Sequence, residues 1–151
     1  MAKLIGWREW ASLPKLGVDR VKVKVDTGAR TSALHAYKLE LTEEKGKEWV
    51  TCYLHPLQKN TELEVICRAP VKERRVVKDS GGHEETRVVI DTKIEIGGAR
   101  WSIELTLTDR ENMGFRMLLG RRAIKGRFYV DPTQSFLLTQ RETDDSSDQE
   151  E

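Results

Sequence analysis

The chain is poor in the residues from which metal centres and disulfide frameworks are made. Two cysteines, Cys52 and Cys67, and three histidines are spread over 151 residues. Two cysteines make no disulfide framework, and in a reducing compartment they are expected as free thiols. Cys52-x-x-His55 is a single close ligand pair where structural zinc usually has two, so no metal is expected. There is no His-Glu-x-x-His and no phosphate-binding glycine loop, and no cofactor is expected. Neither cysteine has a neighbour that would activate a thiolate, and Ser80-Gly81-Gly82 is no nucleophile elbow because no helix pattern follows it. No apolar run approaches the ~20 residues that span a bilayer, and the N-terminus lacks a signal-like apolar core. A cytoplasmic protein with no membrane partner is expected.

Charge is abundant but segregated. Charged residues make up 34% of the chain and hydrophobic ones 38%, with a formal net charge of +1. The ten residues Glu142 to Glu151 hold six acids and no base, which leaves 26 bases against 19 acids, a net of +7, in residues 1–141. A basic body favours an acidic partner. Aromatic residues are not interleaved with its charges as stacking platforms for nucleic acid require, which argues against that partner. Trp7, Trp10, Trp49 and Trp101 are expected in the core.

Apolar–polar alternation and turn residues predict strands over 3–12, 19–26, 31–41, 49–54, 62–68, 71–78, 86–96, 99–108, 128–130 and 136–138, with Met117–Gly120 a short buried run. One helical turn is expected at 121–125. Residues 79–85 form the tip of a long hairpin. Many short strands at regular spacing predict an all-β closed barrel. A single domain, residues 1–141, is followed by a tail over 142–151 whose composition supports no core.

Val23-Lys24-Val25-Asp26-Thr27-Gly28-Ala29-Arg30-Thr31 is an apolar strand running into an Asp-Thr-Gly turn, a combination that taken alone is common in structural turns. The strand ends in Asp26, and Gly28 is expected to supply a turn closed to other residues. Downstream come the Gly81-Gly82 hairpin tip and then Met117-Leu118-Leu119-Gly120-Arg121. This ordered set resembles the retropepsins, small homodimeric aspartic proteases with a closed barrel, a flap hairpin and one short C-terminal helix. Longer stretches (Gly6-Trp7-Arg8-Glu9-Trp10, Leu13-Pro14, Lys24 to Ala36 and Met117 to Arg121) resemble the bacterial RimB/RimK-associated family labelled "ATP-dependent zinc protease". That family is associated with ATP-grasp ligases that add glutamates to the C-terminus of a small-subunit ribosomal protein. The metal and ATP sites of its label have no counterpart in this sequence.

The resemblance implies roles. Asp26 is the catalytic acid, and since the chain has one Asp-Thr-Gly, its partner carboxylate comes from a second copy. Thr27, Gly28, Ala29, Gly120 and Arg121 support it. Ser80, Gly81, Gly82 and His83 form the flap tip. Retroviral members carry an acid where this chain has Arg30, so an acidic peptide is the expected substrate, held by Arg30, Arg74, Arg75, Arg87 and Arg116, with Arg121 and Arg122 nearby. A glutamate-rich protein tail, such as the ribosomal one, is the expected target. The alternative is a non-catalytic module that binds acidic tails or regulates the ligase.

Overall fold

A computed structural model describes residues 3–57, 62–78, 81–109 and 115–139. Eleven strands follow in chain order: β1 (Lys3–Leu13), β2 (Val18–Asp26), β3 (Ser32–His35), β4 (Lys38–Glu44), β5 (Lys47–Leu54), β6 (Val65–Pro70), β7 (Glu73–Lys78), β8 (Glu84–Ile96), β9 (Ala99–Thr108), β10 (Met117–Gly120) and β11 (Phe128–Ser135). The helix α1 (Arg121–Ile124) separates the last two. The fold is all-β, as expected.

The larger sheet runs β11-β1-β2-β10-β3-β9-β8-β7, and Ser12 of β1 pairs with Glu95 of β8. That last pairing closes β1, β2, β10, β3, β9 and β8 into a barrel. Closure gives each of these six strands a partner on both sides and leaves β11 and β7 as the edges of this sheet. Period-2 alternation sends Val21, Val23 and Val25 of β2 inward, to meet Ile90, Ile94, Leu105, Leu107, Met117 and Leu119. Each such side chain contributes about 1.5–3 kcal/mol by leaving water. A second sheet, β4-β5-β6, packs Val50, Cys52, Leu54, Cys67 and Ala69 against the same core.

The stretch read as one strand over 31–41 is two. Ser32–His35 pairs with β9 and β10 inside the barrel, whereas Lys38–Glu44 pairs with β5 in the second sheet. The break falls at Ala36-Tyr37, where the chain leaves one sheet for the other. Residues 136–138 are bends rather than a strand, held on β1 by side-chain and backbone bonds.

The tryptophans divide. Trp101 joins the core, its indole N–H donating to the Ala123 carbonyl at 2.9 Å. Trp10 is buried as expected, but beside the main apolar cluster rather than in it, stacked with Phe136 and with the Arg20 guanidinium 4.1 Å from its ring. Trp7 and Trp49 are only half-buried, under Arg8 and Arg68. An indole with a guanidinium on its face does not need the core.

Nothing in the sequence around Glu9 marks it for a role. It is fully buried, yet its carboxylate accepts from the backbone N–H groups of Gly6, Leu137, Leu138 and Thr139 and from the Thr139 hydroxyl, at 2.7–3.2 Å. A buried carboxylate needs such a set of donors. Here it straps residues 137–139 across β1.

Cys52 and Cys67 are free, buried and directly opposite in the β5–β6 pair. Hydrogen bonding to Cys67, then burial, pushes the Cys52 thiol up, the reverse of activation. Among the described residues no group of three histidine, cysteine, aspartate or glutamate side chains could hold a metal. No described helix is long and apolar enough to cross a membrane.

Candidate active site

Parallel pairing of β10 with β2 sets Gly120 beside Asp26. Asp26 ends its strand, and a turn closes behind it through the Ala29 N–H donating to the Asp26 carbonyl at 3.1 Å. The Gly28 N–H donates to Asp26 Oδ1 at 3.1 Å, orienting the carboxylate. Gly28 is not left-handed, contrary to the expectation from sequence. Its use is room: a Cβ there would sit 3.3 Å from Asp26 Oδ1.

Gly120 has the stricter requirement. A Cβ would lie 2.6 Å from the Thr31 carbonyl carbon and 2.9 Å from the Ser32 nitrogen. Its N–H donates to Ser32 Oγ at 3.0 Å. The next two residues tie α1 to the same loop, with Arg121 N–H donating to Ala29 O and Arg122 N–H to Arg30 O. The Arg121 guanidinium reaches the Thr27 and Gly28 carbonyls at 3.4 Å. Gly120 thus lies against the 31–32 backbone, and Arg121 reaches across to the Thr27 and Gly28 carbonyls.

A cleft of about 750 Å³ opens from Asp26 toward the β7–β8 hairpin. Its floor is a row of small or neutral side chains, Leu118, Ala33 and Thr106, one from each of three neighbouring strands. Arg30 and Arg121 flank the Asp26 side, and Arg75, Lys78 and Arg87 come from the hairpin arms. Asp26 is the only carboxylate lining it among the described residues. The hairpin projects because β9 pairs with β8 only from Val88 onward, leaving residues 84–87 held by β7 alone.

Several expected substrate contacts are placed elsewhere. Arg74 does not line this cleft. Alternation along β7 turns it to the opposite face, where it pairs with Glu48 beside a groove bordered by Leu39 and Leu41. Arg116 precedes β10, four residues or ~13 Å of strand before the Asp26 level, and is not in the cleft either. Arg122 borders a smaller neighbouring pocket with Glu104. Gly81, Gly82 and His83 form an exposed tip beyond the cleft lining, with Gly82 at φ 85°. Ser80 and the tail, residues 142–151, lie outside the described residues. Val76, Val77, Lys78, Ala33, Thr106 and Leu118 also line the cleft and have no sequence signal that marks them. Alternation along β7 separates Arg75 from Arg74, but toward the hairpin tip residues of both parities, Val76 and Lys78 included, line the cleft.

A closed barrel whose Asp-Thr-Gly-Ala turn is buttressed by a Leu-Gly-Arg strand end and faces a projecting hairpin is a retropepsin-like fold. The chain belongs to the RimB-like family, described as retropepsin-like aspartic endopeptidase, whose model matches residues 4–141. It is 45% identical over 135 residues to a probable alpha-L-glutamate ligase of Shewanella pealeana, covering 89% of this chain and 30% of that protein. A protein of the same name from Desulfotalea psychrophila is 45% identical over 130 residues, 86% of this chain and 28% of the relative. The chain thus spans less than a third of the length of the curated relatives it matches. A Legionella pneumophila protein of unknown function superposes with a TM-score of 0.75 at 25% identity, over 91% of this chain and 99% of that one.

Proposed function

We propose that the chain is an aspartic peptidase that hydrolyses peptide bonds in an acidic, glutamate-rich protein tail. The observation that carries this reading is a cleft whose one carboxylate among the described residues, Asp26, stands opposite a surround of arginine and lysine. Two Asp26 carboxylates, one from each protomer of a homodimer, form the dyad. Held close together they share one proton. The ionised member takes a proton from water as it attacks the scissile carbonyl, and the protonated member polarises that carbonyl. The proton then passes to the leaving amine. Arg121 keeps the Thr27–Gly28 carbonyls fixed while this happens, and the hairpin arms cover the bound chain.

The acidic substrate follows from charge. Arg30 has no carboxylate partner among the described residues and stands at the cleft rim. The relatives named as glutamate ligases supply a source for such a tail, and a small-subunit ribosomal protein is the target that family association suggests. A second reading is favoured by those same relatives, in which a region like this chain is under a third of the length. In that reading the cleft holds the acidic tail for the ligase and cuts nothing.

The test is incubation of purified protein with a polyglutamate-tailed substrate, read by mass spectrometry. Wild-type protein shortens the tail, Asp26→Asn does not, and chelators change nothing, since no metal-ligating set lies among the described residues. Tail binding with no cleavage by the wild type establishes the second reading instead.

A further inference from the structure

Arg75 and Arg87 are directly opposite each other in the β7–β8 pair, and both line the cleft. Like charges in that relation repel. Arg75 is neutralised within the chain. It donates through Nη1 to Glu104 at 3.1 Å and through Nε to Glu73 at 2.9 Å. Arg87 is not. Its side chain is only 11% exposed, and among the described residues its one contact to an acid is Nη2 to Glu85 at a long 3.4 Å and its buried Nε has no hydrogen-bond partner. A guanidinium withdrawn from water with an unused donor is an incomplete site. What completes it is a planar acceptor with two oxygens that can meet Nε and Nη together. A carboxylate is such an acceptor, and Glu85 already supplies a poorly placed one.

We infer that Arg87 determines specificity by binding a side-chain carboxylate of the peptide in the cleft, displacing Glu85, with Arg75 reinforcing the field from the opposite strand. This rests on the reading that the cleft takes an acidic peptide, and assigns the discriminating contact to one residue. Arg87 is not catalytic, because it reads the substrate and touches no reacting atom. Arg75 plays the lesser part because Glu73 and Glu104 already engage its donors.

The experiment uses the full chain carrying Asp26→Asn, so that peptide is bound and not consumed. Fluorescence anisotropy measures binding of hexaglutamate and of hexaglutamine as the matched neutral peptide. Adding Arg87→Gln weakens hexaglutamate about ten- to hundredfold and leaves hexaglutamine within about twofold. Arg87→Lys falls between, since it keeps the charge and loses the fork. Lys125→Gln, which removes an exposed charge outside the cleft, changes hexaglutamate binding less than about threefold. The inference is overturned if Arg87→Gln leaves hexaglutamate binding unchanged, if it weakens both peptides equally, or if Lys125→Gln matches it. If Arg87→Gln does not fold, Arg87→Lys decides: unaltered discrimination between the two peptides contradicts the inference. Discrimination without cleavage by the wild type leaves this inference standing and removes the peptidase reading. Failure of the Asp26→Asn parent to bind either peptide removes both.

Discussion

Gly120 lies beside Asp26 in the parallel β10–β2 pair, and its missing side chain is what lets the 31–32 backbone pass behind the aspartate. A methyl group there meets backbone rather than a movable side chain. Gly120→Ala is therefore expected to destabilise the fold by about 1–3 kcal/mol, the usual range for overpacking. It also pushes the 27–31 loop off α1, so acidic-peptide binding and cleavage fall further than the stability loss alone explains. Denaturant titration and peptide binding on the same sample check both parts.

Glu9 gives a second expectation, remote from the cleft. Its carboxylate collects donors from Gly6 and residues 137–139. Glu9→Gln keeps the shape but turns an NH₂ group toward N–H donors. Hydrogen bonds to a charged group are worth ~1.5–3 kcal/mol each and are not additive here, so a loss of about 3 kcal/mol or more is expected. Amide exchange at residues 137–139 accelerates, and Trp10 fluorescence shifts as its Phe136 cover loosens.

Glu104 sets a pH dependence. The Arg75 hydrogen bond first, then that from Lys72, holds its carboxyl down to about 2, against an ordinary value of 4.5. A depressed carboxyl contributes stability that is fully present above its unfolded value and is lost as pH falls through the folded one. The window is thus from about 4.5 down to about 2. Glu104→Gln flattens the stability curve there and leaves the slope above pH 6 unchanged. Lys72 is substantially exposed, so screening keeps the effect modest and 0.5 M salt shrinks it further. Thermal unfolding across that pH range reads the difference.

How much was legible in the sequence follows from what each signal depends on. Val21, Val23 and Val25 announce β2 because local alternation and burial agree there. Asp26, Gly120 and Arg121 were linked only by resemblance to a family, because the register that sets Gly120 beside Asp26 is a long-range pairing no local window contains. The arginines were not sorted by composition, since charge count carries no direction. Arg74 and Arg75 differ by one residue and face opposite sides of β7. Arg116 was misplaced because its distance from Asp26 depends on β10–β2 register, a long-range pairing. Glu9 was opaque for a similar reason: all its donors but the Gly6 N–H come from more than 125 residues away. The split of the 31–41 run depended on which sheet each half joins, which no local window contains.

The central claim is that two copies of Asp26 make one active site, and subunit mixing tests it most directly. Wild-type protein is mixed with Asp26→Asn at constant total concentration, allowed to exchange, and assayed on a glutamate-tailed substrate. A shared dyad makes mixed dimers inactive, so activity follows the square of the wild-type fraction, about a quarter of full activity in an equal mixture. Activity proportional to the wild-type fraction, about half in that mixture, would mean that each chain works alone and would contradict the account.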